Sequence, residues 1–163
     1  MIGNNFERMV QLAGEFFDTK ADPEQLDIDE AIIVRLQKIH PATMGEISDE
    51  NGPIAWSIVI PTSTKTMEKF FKGTINETAL METSEQENIF DAIYLCSALV
   101  LPEFRGKGLA KKLLCNSIRM IQQDHPIQAL YYWAFSNEGD MLSHSIAEEL
   151  RLPLRKKQKT LSA

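Results

Sequence analysis

The sequence predicts a single α/β domain built around a mixed β-sheet flanked by helices. Two apolar runs, Ala92–Val100 and Ala129–Phe135, read as buried strands, and each leads into an amphipathic helical pattern, Gly108–Gln123 and Gly139–Leu150. Ahead of them, an Asn-Gly pair between two apolar segments gives the pattern of a β-hairpin. A hairpin followed by strand–helix–strand–helix is the order of an α/β domain with a mixed sheet. At 163 residues the chain is long enough for a core of its own, since folding at this size hides roughly 70% of the unfolded surface.

Asn5 is an N-cap candidate ahead of Phe6, Met9, Val10, Ala13 and Phe17, which are apolar at helical spacing. Asp18–Glu30 is acidic, with Asp22-Pro23 as a cap and first-turn pair. Ile32, Ile33, Leu36 and Ile39 mark a second amphipathic helix that stops at His40-Pro41, because a residue before proline is pushed out of helical geometry. Thr43–Ile47 and Ile54–Ile60 are the hairpin strands around Asp49-Glu50-Asn51-Gly52, with Asn-Gly supplying positive φ angles and Pro61 ending the second strand. Thr64–Lys72 carries Met67, Phe70 and Phe71 at helical spacing and closes on Gly73, and Thr74–Asn88 is a short helix plus loop. In Gly108–Gln123, Leu109, Leu113 and Ile121 share a stripe with Ala110, Leu114 and Ile118, opposite Lys111, Lys112, Asn116 and Arg119. Arg151–Ala163 is a frayed tail or short edge element holding Arg155, Lys156, Lys157 and Lys159. No repeat or linker divides the chain, so residues 1–163 form one domain with residues 1–41 as its helical N-terminal part.

Hydrophobic residues make up 44% and charged residues 25%, as in globular proteins. No apolar run approaches the ~20 residues that span a bilayer, so no membrane association is expected. Cys96 and Cys115 lie in apolar segments without metal-ligand or CxxC spacing, and no secretory signal is visible; reduced thiols in the cytoplasm are expected, with no metal. A net charge of −6 argues against a general nucleic-acid binder and is compatible with a cationic substrate.

The chemistry concentrates after the strand Ala92–Val100. Pro102 stops the ladder, and Arg105-Gly106-Lys107-Gly108-Leu109-Ala110 leads directly into a helix. Glycines let backbone approach a ligand closely, and the first amides of a helix lack internal partners and carry partial positive charge. Arg105 and Lys107 add full charges, and the combination is a pyrophosphate cradle. The G-x-x-x-x-G-K-[ST] of a P-loop is absent, and the G-x-G-x-x-G of a dinucleotide fold fails at Lys111.

Val100-Leu101-Pro102-Glu103-Phe104-Arg105-Gly106-Lys107-Gly108-Leu109-Ala110, followed by Leu113-Leu114, resembles the acyl-CoA-binding motif of the GCN5-related N-acetyltransferases. The family's R/Q-x-x-G-x-G/A is matched by Arg105, Gly108 and Ala110, and close resemblance covers Ala92–Ile121, with weaker agreement to His144. The resemblance implies a mixed, mostly antiparallel sheet with a strand–pyrophosphate loop–helix core at residues 92–150. It implies an N-acetyltransferase, with acetyl-CoA as acyl donor and the amine of a small molecule or peptide as acceptor, acting as a monomer or homodimer. Amides of Gly106, Lys107, Gly108, Leu109 and Ala110 would hold the pyrophosphate, and the backbone near Val100, where the family's strand splays from its neighbour, would pair with the pantetheine arm. That amide would also polarise the thioester carbonyl.

The family's N-x-x-A-x-x-x-Y is met by Asn137, with Asp140 at the Ala position and His144 where the catalytic Tyr stands. A histidine with ordinary pKa near ~6.5 is able to act as acid or base. Candidate bases are Glu46, Asp91, Glu138 and Asp140, and strand alternation aims one or two of Tyr94, Tyr131, Tyr132, Trp133 and Trp56 into a substrate cleft. The acidic stretches Asp18–Glu30 and Glu82–Asp91 are candidates to line it. Two other functions share the cradle: a non-catalytic acyl-CoA-binding module, suggested by the missing Tyr, and an acyltransferase acting on aminoacyl-tRNA, supported only by the basic residues Arg155–Lys159.

Overall fold

Neighbouring residues of the strand Ala92–Val100 (β3) are buried in different apolar clusters, as a strand covered on both faces requires. In the computed structural model, which describes residues 4–19, 29–133 and 136–158, Tyr94 packs with Leu36, Phe70, Leu80 and Tyr131, while Leu95 packs with Leu114, Ile118, Tyr132 and Ile146. The strands are completed by β1 (Met44–Asp49), β2 (Gly52–Thr62), β4 (Ala129–Trp133) and β5 (Leu154–Lys157), and they lie in the order β1-β2-β3-β4-β5, with β3 central. Helices α2 (Glu30–Ile39), α3 (Thr64–Phe71) and α4 (Glu77–Glu85) supply Leu36, Phe70 and Leu80 to one face. Helices α5 (Leu109–Asp124) and α6 (Asn137–Leu150) supply Leu114, Ile118, Ile121 and Ile146 to the other. α1 (Asn4–Thr19) adds Met9 to a smaller cluster with Ile54, Leu99 and Leu101.

The sheet is mixed, with the longer ladders antiparallel. β1–β2 and β2–β3 are antiparallel, whereas β3–β4 and β4–β5 are parallel. Each parallel pairing follows a helix, α5 or α6, that carries the chain back before the next strand starts. The tail, expected either to fray or to form a short edge element, supplies the edge strand β5, paired from Leu154 to Lys157 against Leu130–Trp133.

Several local expectations change for identifiable reasons. Pro61 lies inside β2, opposite Ile93. The Thr62 carbonyl accepts from the Asp91 amide at 3.0 Å, so alternation turns Pro61 to the other side, where β1 pairs no further than Ile58 and no ladder bond is lost. In the hairpin only Gly52 has positive φ; Asn51 instead donates its amide to Asp49 Oδ1 at 2.8 Å. Asn5 is within α1 rather than at its cap, and its buried amide donates to Asp49 Oδ1 across the fold at 3.0 Å. Thr43 belongs to a 3-10 turn, Pro41–Thr43, whose cap His40 accepts from the Ala42 amide and contacts Asp124 at 2.7 Å. The Asp22-Pro23 pair, most of Asp18–Glu30 and the end of the Ala129–Phe135 run lie outside the described residues.

Candidate functional site

β3 is longer than its neighbour β4, and the two part company midway. Their parallel pairing runs from Ala92↔Ala129 to Leu95↔Tyr132 and stops there. At the same point the register against β2 shifts, with Ser97 opposite Ile58 and Leu95 opposite Val59, so that Cys96 is an extra, bulged residue. From Cys96 to Val100, β3 therefore keeps β2 on one side and loses β4 on the other.

The gap opens a cleft of about 680 Å³, within the range of small-molecule sites. β3 forms its floor from Tyr94 to Val100, Gly139, Leu142 and Ser143 of α6 form one wall, and Arg105 and Ala110 stand at one end. Leu95, Leu114 and Tyr132 belong to the α5–α6 face, whereas Tyr94, Cys96 and Trp133 belong to the other, so the cleft passes through the sheet.

Backbone groups in the gap have a defined direction. The Leu101 amide donates to the Ile54 carbonyl at 2.9 Å, which makes Ala55↔Val100 a pair without hydrogen bonds of its own. Val100, and two residues back Ala98, thus turn their amides away from β2 toward the cleft. The Val100 carbonyl accepts from Arg105 Nε at 3.0 Å, which folds the loop's arginine over the strand end.

At the loop, Gly106 and Gly108 have φ of +79° and +74°, a region L residues avoid. A Cβ there would meet nothing within 4 Å, so the space immediately over the loop is open. Asp29, Ser63, Asn76 and Ser136 each cap a helix by accepting an amide, but α5 is capped by Gly108, without a side-chain bond. The first amides of α5 are left pointing out of a helix end with partial positive charge. Lys107 lies beside the loop with Nζ 5.5 Å from the Phe104 ring centre. These groups fit a pyrophosphate, and the edge of β3 fits an extended amide-bearing arm.

The predicted acid–base residues fare differently. His144 is exposed, and Asn137, the first residue of α6, is exposed; neither lines the cleft. One helical residue turns about 100°, so the neighbouring Ser143 faces the cleft while His144 faces solvent. Of the four candidate bases, only Glu138 lines the cleft. Glu46 accepts from Trp56 Nε1 at 2.8 Å on the edge strand β1, and Asp91 accepts from the Thr64 amide at 2.6 Å at the start of α3. Asp140 accepts from Tyr132 at 2.8 Å and from Lys156 at 3.0 Å; the Lys156 bond, then the Tyr132 bond, hold its carboxyl below the ordinary range. Tyr94, Tyr132 and Trp133 line the cleft, three rather than the one or two expected from alternation, because residues of both sheet faces reach it; no residue of Glu82–Asp91 does.

Sequence reasoning missed Glu77. It begins α4, is 5% exposed, lines the cleft, and accepts a hydrogen bond from the Tyr94 hydroxyl. In the sequence it is one carboxylate among many in Thr74–Asn88; the only local sign was Asn76, an N-cap residue directly before it. Among the described residues, no helix is long and apolar enough to cross a membrane, and no cluster of His, Cys, Asp and Glu is arranged to hold a metal.

No family model matches the sequence, and no curated protein or solved structure matches it significantly.

Proposed function

We propose that this chain is an acyl-CoA-dependent N-acyltransferase of the GCN5-related type, with acetyl-CoA as donor and an amine as acceptor. Its main support is one cleft that touches Arg105 and Ala110, the residues flanking loop residues 106–109, runs along the unpaired edge of β3 and is lined from both faces of the sheet. In this scheme the amides of Gly106 to Ala110 bind the pyrophosphate, Arg105 and Lys107 add charge, and Ala98 and Val100 pair with the pantetheine amides. The Val100 amide then stabilises the oxyanion as the amine attacks the thioester carbonyl. The N–C bond forms, the C–S bond breaks, and the electron pair leaves on sulfur. A thiol of pKa near ~8.5 is a good leaving group, so an acid in place of the family's Tyr is dispensable and His144 need not enter the chemistry.

The direct test is calorimetry of CoA with the wild-type chain and Gly108→Trp. Micromolar-range binding to wild type is expected, with loss of on the order of a hundredfold in the variant, whose side chain fills the loop's open space. Unchanged affinity would overturn the assignment. A non-catalytic acyl-CoA-binding module is the second reading, favoured by the position of Asn137 and His144 outside the cleft lining. It predicts the same binding with no acetylated product from any amine.

A further inference from the structure

Two tyrosines at the cleft have their hydroxyls committed: Tyr94 donates to Glu77, and Tyr132 donates to Asp140. Ser143 on α6 is different. It is 6% exposed and lines the cleft, yet its hydroxyl makes no hydrogen bond among the described residues. A helical hydroxyl commonly turns back onto the carbonyl four residues earlier, as Thr83 does to Ala79 at 2.8 Å and Ser84 to Leu80 at 3.1 Å. Ser143 makes no such bond to Gly139, so its donor remains for the cleft. A buried hydroxyl without a partner costs free energy that a polar atom of a ligand would recover. Gly139 and Ser143, one turn apart, both line the cleft, and their small size lets a ligand come close to α6. Leu142 beside Ser143 and Ala98 on β3 pack against the same apolar cluster, so this turn of α6 stands across the cleft from the unpaired edge of β3.

We infer, resting on the function proposed above, that Ser143 donates a hydrogen bond to the sulfur of an acyl-CoA bound between β3 and α6. The edge of β3 engages the carbonyl oxygen of the thioester, which leaves the sulfur toward the α6 wall. The acceptor attacks as the neutral amine; the N–C bond forms, and the C–S bond breaks with its electron pair on sulfur. A thioester sulfur is a weak acceptor and a thiolate a strong one, so the Ser143 bond tightens as charge develops, the condition for lowering a barrier. Ser143 keeps its own proton, since a serine hydroxyl is too weak an acid to release it. The thiolate takes its proton from the attacking nitrogen.

The experiment uses the full chain with CoA, acetyl-CoA and desulfo-CoA as probes. The ultraviolet thiolate absorption of bound CoA is titrated with pH, and the same titration with desulfo-CoA is subtracted so that Cys96, Cys115 and the tyrosines cancel. The bound thiol should ionise about tenfold more readily in wild type than in Ser143→Ala, the effect of one hydrogen bond to a charged group. Alanine is the strongest helix former, so the α6 wall is retained in the variant. Acetyl-CoA affinity by calorimetry should differ by less than about threefold between the two, because a thioester sulfur gains little from the hydroxyl. His144→Ala, at the exposed neighbouring position, should match wild type in both measurements. Equal ionisation in wild type and Ser143→Ala, with CoA still bound, would overturn the role of Ser143 and leave the proposed function standing. A loss of acetyl-CoA affinity in Ser143→Ala as large as the change in ionisation would overturn it too, since the residue would then only shape the wall. If neither CoA nor acetyl-CoA binds the wild-type chain, the acyltransferase falls and the role of Ser143 falls with it.

Discussion

Cys115 is 2% exposed, and burial, followed by a hydrogen bond with Glu149, pushes its thiol up to about 11, whereas Cys96 is half-buried at the bulge that opens the cleft. Reactivity follows the thiolate and its access, so N-ethylmaleimide at neutral pH should modify Cys96 and leave Cys115 until the chain is denatured. If the proposed function holds, CoA should slow the reaction at Cys96; equal labelling of both thiols would contradict the described cleft, and no protection by CoA would count against the proposed function. The sequence placed both thiols in apolar segments but gave no means of telling them apart, because the difference arises from a register shift between β2 and β3. Glu77 teaches the same lesson. Its side chain becomes special only when Tyr94, on a strand seventeen positions further along the chain, is brought against it. His144 is the converse case, since a motif position was legible while the direction of its side chain depended on how α6 is rolled against the sheet.

At the scale of elements, the α5 stripe read from the sequence is the one that packs, with Leu113, Leu114, Ile118 and Ile121 buried and Lys112, Asn116 and Arg119 exposed. What α5 packs against was not legible, and it depends on a small residue in β1. A Cβ on Gly45 would lie 2.5 Å from Ser57 Oγ and 3.2 Å from a Leu113 methyl. Ser57 Oγ is itself buried with no hydrogen-bond partner among the described residues. Gly45→Ala should therefore destabilise the chain by about 1–3 kcal/mol in chemical denaturation, an overpacking cost. Ser57→Ala alone should be close to neutral, because it removes an unsatisfied hydroxyl, and it should recover part of the loss in the double variant. Strict additivity of the two would mean that Ser57 is not the obstacle. Helix starts were easier to read than helix contacts. Ser63, Asn76 and Ser136 each accept an amide three residues on, a local interaction that needs no tertiary partner.

Across the whole molecule, charged pairs staple elements that are far apart in the chain. Arg8 on α1 holds Glu103 after β3 at 2.6 Å, Arg35 on α2 holds Glu85 on α4 at 2.5 Å, and Lys156 on β5 holds Asp140 on α6 at 3.0 Å. Each carboxyl is depressed below its ordinary range, with the hydrogen bond from its cation as the largest cause; Glu103 is lowered to about 2. A group whose folded pKa is depressed stabilises the fold above its unfolded pKa, and that contribution is lost as pH falls through the folded value. The melting temperature should accordingly fall as pH drops from the unfolded carboxylate value of ~4 toward 2. Calorimetry in this range should show a shallower fall for Glu103→Gln than for wild type, and 1 M salt should reduce the difference, since these pairs are solvent-exposed. Identical acid profiles would mean that the Arg8 pair contributes nothing. The sequence by itself determined the helices, the hairpin, the two buried strands and the glycine loop, because periodicity, caps and turn residues act within a few positions of the chain. Only the tertiary structure decided the parallel half of the sheet, the parting of β3 from β4 that makes the cleft, and the set of side chains that line it. Those depend on which distant segments share a strand edge or a helix face, and no local pattern specifies that.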